Sequence, residues 1–468
     1  MVQDELTVRR GTPSLVAPAR ETPRESKPLS DLDDQNCMRI YLVGIYAFRG
    51  HASRQGVDPA AVVRGALAEA LVHYYPLAGR LREEAGRKLV VDCAGQGVAF
   101  VEADANMALD DLGEVRYPPF PRSEEFVYDD HVYMANLPPG LLLPEIIGQP
   151  LLYVQVTRFT CGGFIVGTRT CHCLTDGSGV AQFLKSVGEL ARGATSPSVP
   201  PVWSRDIFNA RQPPCPSFPH PEFQEPAGGD DRLMYTPPHE LERVEFSFGP
   251  EAIAALHSRA APGKKVSRFD LVAACLWRSR TAALGYAPGD EVRCGMPVDA
   301  RGRRPADFGR EIPKGFYGNA IACTVACCTA EELCGRDLGY AVGLIREAKA
   351  MVTYEYMQSL ADRMVLEGRP VPEAKRTFTV SDLSNVGLED VDFGWGNAVY
   401  GGPPMNALYQ LPGGATFFRR RKNGSGEEET YGAIYLPKDC VARYMKEVEA
   451  LTTTITKLPT ETALRARY

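Results

Sequence analysis

A proline-rich segment near the middle of the chain limits how the chain can be divided into domains. Nine of the 37 prolines fall between Pro197 and Pro226, and proline neither donates a backbone hydrogen bond nor continues a helix. We therefore expect residues 195–231 to form an extended linker without regular secondary structure. Because this linker divides the 468 residues into two parts of similar size, we predict domains over residues 1–194 and 232–468.

The composition is that of an ordinary soluble globular protein, with 44% hydrophobic and 24% charged residues and a net charge of −6. That charge gives no reason to expect nucleic acid or an anionic membrane as a partner. No apolar run is long enough to span a membrane, and the N-terminus is too charged for a signal peptide. The thirteen cysteines include no C-x-x-C pair, which favours free thiols over disulfides or a zinc site. We expect a cytoplasmic monomer that holds no metal.

One histidine stands where a strand is predicted to pass into a helix. Two apolar runs, residues 151–160 and 163–170, predict a hairpin that ends just before His172. A helical pattern follows, and Gly177 allows a tight turn between the two elements. Imidazole titrates near neutrality, so His172 could act as a base. Asp176 could orient the ring or hold the turn through an ion pair.

The segment around His172 has other interpretations that the sequence leaves open. A His-x-x-x-Asp pattern has only two fixed positions, and a histidine at a strand end is more often structural. A metal site would need a third ligand, and none stands nearby. Ser178 lacks the G-x-S-x-G context of a nucleophile. Cys171 and Cys173 flank His172 and should point to the opposite face of the strand.

The second half of the chain carries a comparable set of elements. Helices are predicted near residues 251–259, 267–280 and 338–364, and strands at 292–298 and 377–382. The loop Asp392-Phe-Gly-Trp-Gly396 follows the last of these strands. A final hairpin should turn at Asn423-Gly424, and we expect the basic run at residues 419–422 to be a solvated strand edge.

Together, these motifs resemble the two signatures of the plant BAHD acyltransferase family. His172-x-x-x-Asp176-Gly177 followed by Asp392-Phe-Gly-Trp-Gly396 is highly specific as a pair, and the similarity extends over the whole chain. Stretches such as residues 201–205 and 400–403 look most like the benzyl alcohol O-benzoyltransferase and alcohol acyltransferase branch. Cys171 and Cys173 depart from the usual filling of the first motif.

The resemblance implies an α/β fold of two chloramphenicol-acetyltransferase-like domains, with mixed sheets flanked by helices and joined by a long crossover. Acyl-CoA and a small alcohol would enter a channel between the domains from opposite faces, and no cofactor would be held permanently. His172 would act as general base at the middle of the channel.

The resemblance also implies roles for other residues. Asp176 would pair with Arg301 and be architectural. Asp392 is usually structural in the family but is sometimes counted as catalytic, so the catalytic candidates are His172, Asp176 and Asp392. Trp395 would anchor the domain interface. Candidates for binding coenzyme A begin a helix whose N-terminus suits a phosphate, although a solvated turn is the alternative; they are Lys265, Ser267 and Arg268.

The expected reaction is benzoyl transfer from CoA to a small alcohol such as benzyl alcohol. Transfer of acetyl or another acyl group to a specialised-metabolite hydroxyl, as in taxane acyltransferases, is an alternative. Thioester hydrolysis and a catalytically silent acyl-CoA-binding homologue are others. Arg169, the cation nearest to His172 in the sequence, should face away from it, which disfavours a malonyl donor.

Overall fold

The computed structural model describes residues 5–115, 120–128, 146–260, 262–263, 265–303, 308–404, 415–422 and 425–453. Its strands are, in chain order, β1 Val8–Arg10, β2 Ser14–Val16, β3 Ser26–Pro28, β4 Tyr41–Phe48, β5 Arg80–Glu83, β6 Leu89–Asp92, β7 Val98–Ala105, β8 Leu152–Arg158, β9 Phe164–Cys171, β10 Leu241–Phe248, β11 Glu291–Asp299, β12 Ile321–Thr329, β13 Thr377–Asp382, β14 Tyr400–Gly402, β15 Ala415–Lys422 and β16 Glu428–Pro437. Its α-helices are α1 Pro59–His73, α2 Gly177–Ala191, α3 Arg232–Tyr235, α4 Pro250–Ala260, α5 Arg268–Leu284, α6 Ala330–Gly335, α7 Leu338–Met351, α8 Tyr354–Leu366 and α9 Val441–Thr452.

The first sheet is seven-stranded, in the order β1-β7-β8-β9-β4-β14, with β2 also paired to β7. β7 and β8 run parallel, whereas β8 and β9 form the predicted antiparallel hairpin. Leu67 of α1 and Phe183 of α2 are buried in one core with this sheet. β14 lies after the linker in sequence yet pairs with β4, so both halves of the chain build the first sheet.

The second sheet has six strands in the order β10-β16-β15-β13-β11-β12. It is also mixed, because β13 runs parallel to both β11 and β15 while the outer pairs are antiparallel. Helix α5 begins where predicted, since the Ser267 hydroxyl accepts a hydrogen bond from the amide of Asp270. Its Trp277 is fully buried in the core of this half.

A third, smaller sheet and several helix ends complete the fold. β3, β6 and β5 form this three-stranded sheet, in which β5 and β6 are an antiparallel hairpin. Asp58 caps α1 by accepting from the amide of Ala60 at 3.1 Å. The helical stretch predicted over residues 338–364 is two helices, because Thr353 caps α8 after a short break. The Asn423-Gly424 turn lies outside the described residues.

Residues 195–231 contain only short turns of 3-10 helix, at Arg205–Phe208 and Pro221–Phe223, as predicted for a linker. Buried polar groups of α8 hold this segment in place. The Asp362 carboxylate accepts from both the amide and Nε of Arg211, at 2.6 and 2.7 Å. The Ser359 hydroxyl lies 2.8 Å from Nε2 of His220. The predicted domain limits remain a prediction.

We expected residues 419–422 to form a solvated strand edge. This prediction is wrong for Arg419. β15 lies inside the second sheet, between β16 and β13. Arg419 is buried, its guanidinium carbon lies 4.9 Å from the ring centroid of Tyr400, and it donates to the carbonyl of Gly401 at 2.7 Å. A contact with Glu389 balances its charge. Arg419 therefore links β15 to β14 of the first sheet.

Candidate active site

His172 lies directly after β9, at the point where the chain turns into α2. Its amide donates to the carbonyl of Ile40 at 2.8 Å, and its carbonyl accepts from the amide of Thr175 at 3.3 Å. The turn needs glycine at position 179, because a Cβ there would overlap the carbonyl oxygen of Tyr317. The close approach of the Tyr317 backbone brings the second half of the chain against this turn.

His172 is half-buried, and its ring nitrogen Nδ1 lies away from solvent. Burial lowers the pKa of His172 below its ordinary value, and the nearby charge of Asp176 opposes that shift. The ring is therefore neutral at physiological pH and able to accept a proton. Its Nδ1 is buried without a hydrogen-bond partner among the described residues.

Asp176 does not hydrogen-bond to the imidazole in the described structure, because both of its oxygens accept from other groups. Oδ1 accepts from the amide of Gly179 at 2.9 Å and thereby caps α2. Oδ2 accepts from Arg301 Nη1 at 2.8 Å and from the amide of Ala320 at 3.0 Å. The carboxylate is 2% exposed, so these bonds join α2 to the second half of the chain away from water.

Arg301 is the ion-pair partner that the family resemblance implied for Asp176. Besides Asp176 it contacts Asp299, at 3.2 Å, and it donates to the carbonyl oxygens of Phe316 and Gly318. Through these bonds the guanidinium joins β11 to the segment before β12. His172, Asp176 and Arg301 are thus brought together in the structure.

A second buried network reaches His172 through Asn319. The side-chain Nδ2 of Asn319 donates to the carbonyl of His172 at 2.8 Å and to Oδ1 of Asp33 at 2.9 Å. Asp33 is fully buried and lies 2.8 Å from Arg205 Nη1, and Arg205 also donates to the carbonyl of Leu174 at 2.7 Å. Sequence reasoning assigned no role to these three residues, although Arg205 lies in residues 201–205, one of the stretches that carry the family resemblance.

Asp392 lies at the other end of α2 from His172. Its Oδ1 accepts from the amides of Gly394 and Gly396 at 2.7 and 2.9 Å, and Arg192, just past the end of α2, contacts its carbonyl and carboxylate. α2 has 15 residues, a length of about 22 Å at 1.5 Å per residue. The structure therefore does not bring Asp392 together with His172.

Trp395 packs against the first half of the chain. It is 7% exposed, and its ring centroid lies 5.0 Å from that of Phe164 in an edge-to-face contact. The guanidinium of Arg54 lies 5.2 Å from the Trp395 ring and donates to the carbonyl of Gly394. The Asp392 loop thus contacts the first sheet through an aromatic residue and an arginine.

The residues predicted to bind coenzyme A lie at the start of α5. The hydroxyl of Ser267 caps the helix, and Arg268 Nη1 is 3.8 Å from a carboxylate oxygen of Glu428. Lys265 lies just before the helix, and Lys264 is outside the described residues.

Other chemistries find little support near His172. All thirteen cysteines are free, and Cys171 and Cys173 are fully buried in the core. Burial raises the pKa of Cys173 well above its ordinary value, so this thiol is a poor nucleophile. The part of the chain that the structure describes has no cluster of three or more side chains suited to a metal. Within the same residues, no helix is both long and apolar enough to cross a membrane.

The chain is similar to a family model and to named relatives over nearly its whole length. A family model described as the Transferase family matches residues 6–451. Benzyl alcohol O-benzoyltransferase of Petunia hybrida is 44% identical over 446 residues, covering 95% of this chain and 94% of the relative. The enzyme of the same name from Nicotiana tabacum is 44% identical over 450 residues, with the same two coverages.

Solved structures confirm the predicted fold. Vinorine synthase aligns with a TM-score of 0.69 at 22% identity, covering 96% of this chain and 99% of that one. F. graminearum TRI101, solved with coenzyme A and T-2 mycotoxin, aligns with a TM-score of 0.69 at 18% identity, covering 90% and 96%. With the family model matched over residues 6–451 and both signature motifs in place, the chain belongs to the Transferase family, the BAHD acyltransferases.

Proposed function

We propose that the protein is an acyl-CoA-dependent O-acyltransferase that transfers a benzoyl group to a small alcohol such as benzyl alcohol. The observation that carries the proposal is His172, a half-buried histidine at the end of β9 whose pKa is lowered by burial. The neighbouring carboxylate of Asp176 is fully engaged elsewhere. The names of the Petunia and Nicotiana relatives support the choice of substrates.

The proposed reaction needs one base and no covalent intermediate. His172 takes the hydroxyl proton of the alcohol as the alcohol oxygen attacks the thioester carbonyl. The tetrahedral adduct then collapses, the carbon–sulfur bond breaks, and the departing sulfur receives the proton from His172. The products are the ester and free coenzyme A. Ser178 donates its hydroxyl hydrogen to Asp299 at 3.1 Å and not to the imidazole of His172.

We further propose that Asp176 and Arg301 are architectural and that Asp392 and Trp395 fix the domain interface. The contacts of Asp392 with its own loop and with Arg192 support this assignment over a catalytic one. Lys265, Ser267 and Arg268 are proposed to face the phosphates of coenzyme A. We also propose that the protein is a cytoplasmic monomer with domains at residues 1–194 and 232–468.

The cations around the site support an aromatic acyl donor over malonyl-CoA. Arg301 is paired with Asp176, and Arg205 lies against Asp33. The guanidinium of Arg169 lies 4.8 and 4.9 Å from the ring centroids of Tyr41 and Tyr153. A malonyl carboxylate would therefore be buried without a dedicated partner, which is costly, whereas a phenyl ring needs only apolar walls.

A competition assay tests this proposal. Benzoyl-, acetyl- and malonyl-CoA at equal concentrations are offered with benzyl alcohol, and the esters are quantified by mass spectrometry. We expect benzyl benzoate as the main product, in more than tenfold excess over the malonyl ester, since a difference of about 1.4 kcal/mol already gives a factor of ten.

The other outcomes discriminate between the alternatives. A malonyl ester as main product would contradict the donor assignment. A predominance of acetyl ester would favour an acetyl-transferring enzyme of the taxane kind. Free coenzyme A without ester would indicate a hydrolase, and the absence of both products with any alcohol would indicate a silent homologue.

A further inference from the structure

Two arginines from different parts of the chain hold the turn that follows His172. Arg301, which follows β11 in the second half, donates from Nη1 to the carboxylate of Asp176 at 2.8 Å. Arg205, which belongs to the linker, donates from Nη2 to the carbonyl of Leu174 at 2.7 Å. The linker therefore does more than join the two halves, because one of its side chains is bonded to the turn itself.

The guanidinium of Arg205 makes few other polar contacts. Its bond to Leu174 is the single hydrogen bond that it makes within the described residues, since Nε and Nη1 are buried without a hydrogen-bond partner there. Nη1 lies 2.8 Å from Oδ1 of Asp33, a charge contact without hydrogen-bond geometry. Buried donors without acceptors cost stability, and a buried ion pair is often no more stable than apolar residues of similar volume. Stability alone therefore does not account for an arginine at position 205.

Aromatic rings fix the guanidinium of Arg205 in place. Its central carbon lies 4.3 Å from the ring centroid of Trp203 and 5.1 Å from that of Tyr317. Arg205 is 2% exposed, and Gly318 leaves the space that its head group occupies, because a Cβ at position 318 would overlap Nη1. A planar guanidinium that is packed in this way is pre-organised to hold one carbonyl oxygen in one position.

Backbone contacts at the start of the linker bring Arg205 to the turn. The amide of Val202 donates to the carbonyl of Gly315 at 2.9 Å, and Val202 forms a parallel bridge with Phe316. Position 315 has no room for a Cβ, because the carbonyl oxygen of Pro200 lies against it. The linker thus follows the segment before β12, and this path ends with the side chain of Arg205 at the turn.

The position of the Leu174 carbonyl bears on the position of the imidazole. The amide of Leu174 donates to the carbonyl of Cys171 at 3.0 Å, and the amide of Thr175 donates to the carbonyl of His172 at 3.3 Å. Because these two bonds close one short turn, a shift of Leu174 moves the peptide groups on either side of His172. A general base must lie within hydrogen-bond reach of the proton that it takes, so a small displacement of the ring slows the reaction.

We propose that Arg205 is a positioning residue for the acyl transfer: by holding the carbonyl of Leu174 from the linker, it fixes the turn that places His172. Arg205 acts through the backbone of this turn and not on the reacting atoms. This inference rests on the proposed function, in which His172 is the general base.

The test compares Arg205→Met with Arg293→Met. Arg293 is also 2% exposed and pairs with Glu291, and it donates to two carbonyls of the linker at 3.0 and 2.7 Å. None of its contacts in the described structure reaches the turn of His172. Both variants lose a buried ion pair, so both should lose stability. We expect only Arg205→Met to lower the kcat of the folded protein, by about tenfold and up to the roughly hundredfold cost of a misplaced group, with KM for acyl-CoA unchanged.

Arg205→Lys covers the case in which Arg205→Met does not fold. Lysine keeps a positive charge beside Asp33, but its compact ammonium lacks the planar fork that reaches Asp33 and Leu174 together. We expect Arg205→Lys to be more stable than Arg205→Met and still to lower kcat by about fivefold, as for the loss of one hydrogen bond.

A measurement without turnover separates this inference from the proposed function. Proton–carbon NMR of histidine-labelled protein, with the His172 signals assigned by a His172→Gln variant, reports the surroundings of the ring. We expect the His172 signals of Arg293→Met to match those of the wild type. In Arg205→Met and Arg205→Lys the same signals should be shifted or broadened, because the turn is no longer held from the linker.

The inference is overturned if folded Arg205→Met and Arg293→Met have the same kcat, if Arg205→Met raises KM while kcat is unchanged, or if Arg205→Lys keeps the kcat of the wild type. It is also overturned if the His172 signals are unchanged in both Arg205 variants. Absence of ester formation by the wild type, with the expected differences between the NMR signals observed, would reject the proposed function and leave the positioning of His172 intact.

Discussion

Replacing His172 with alanine should abolish ester formation while leaving the protein folded. General acid–base catalysis by a positioned side chain contributes roughly 10²–10⁴-fold, and we expect a loss of at least that size in kcat. No other side chain described near the turn can take over, since Asp176 is committed to Arg301 and to two amides. Initial rates of ester formation measure the loss, and circular dichroism and thermal unfolding check the fold.

His239→Ala is the matched control for this variant. The His239 side chain is 79% exposed, so the substitution should leave both the rate and the unfolding temperature unchanged. A folded His172→Ala protein that kept most of the wild-type turnover would remove His172 from the mechanism.

Breaking the Asp176–Arg301 pair should have the next largest effect, through stability and the geometry between the two halves. Removing one partner of a buried ion pair typically costs roughly 3–5 kcal/mol. We expect such a loss for Asp176→Asn, and a similar one for Arg301→Ala, in denaturant unfolding. Activity should fall in parallel, because these bonds connect the turn that carries His172 to the second half of the chain.

The double variant tests the pairing itself. If Asp176 and Arg301 act as a pair, the double variant should lose less stability than the sum of the two single losses, by about 0.5–3 kcal/mol. Additive losses, or single variants with wild-type stability, would contradict the pairing. The exposed pair of Lys185 and Asp390, 2.9 Å apart, also connects α2 to the second half, and Lys185→Ala should cost less than about 1 kcal/mol.

Local sequence signals predicted much of the first half of the site. The β8–β9 hairpin and the position of His172 at its end both follow from patterns a few residues long. The pairing of Arg301 with Asp176 spans 125 residues, and the family resemblance, not the local pattern, provided it.

The residues that sequence reasoning missed depend on contacts between distant parts of the chain. Asp33 stands in an acidic run that is typical of a solvated surface, and it is buried because Asn319, 286 residues away, and Arg205 fold onto it. Arg419 looked like part of an exposed basic edge for the same reason. β14 follows the linker in sequence and still joins the first sheet. It has only three residues, too few to show a periodicity from which this pairing could be predicted.

Acyl transfer by His172 is tested by following both products of one reaction. Purified protein is incubated with benzoyl-CoA and benzyl alcohol, and free coenzyme A and benzyl benzoate are quantified in the same sample. We expect that the two products appear in equal amounts and that neither appears above background with His172→Ala. Release of coenzyme A without ester, or ester formation that persists in folded His172→Ala, would contradict it.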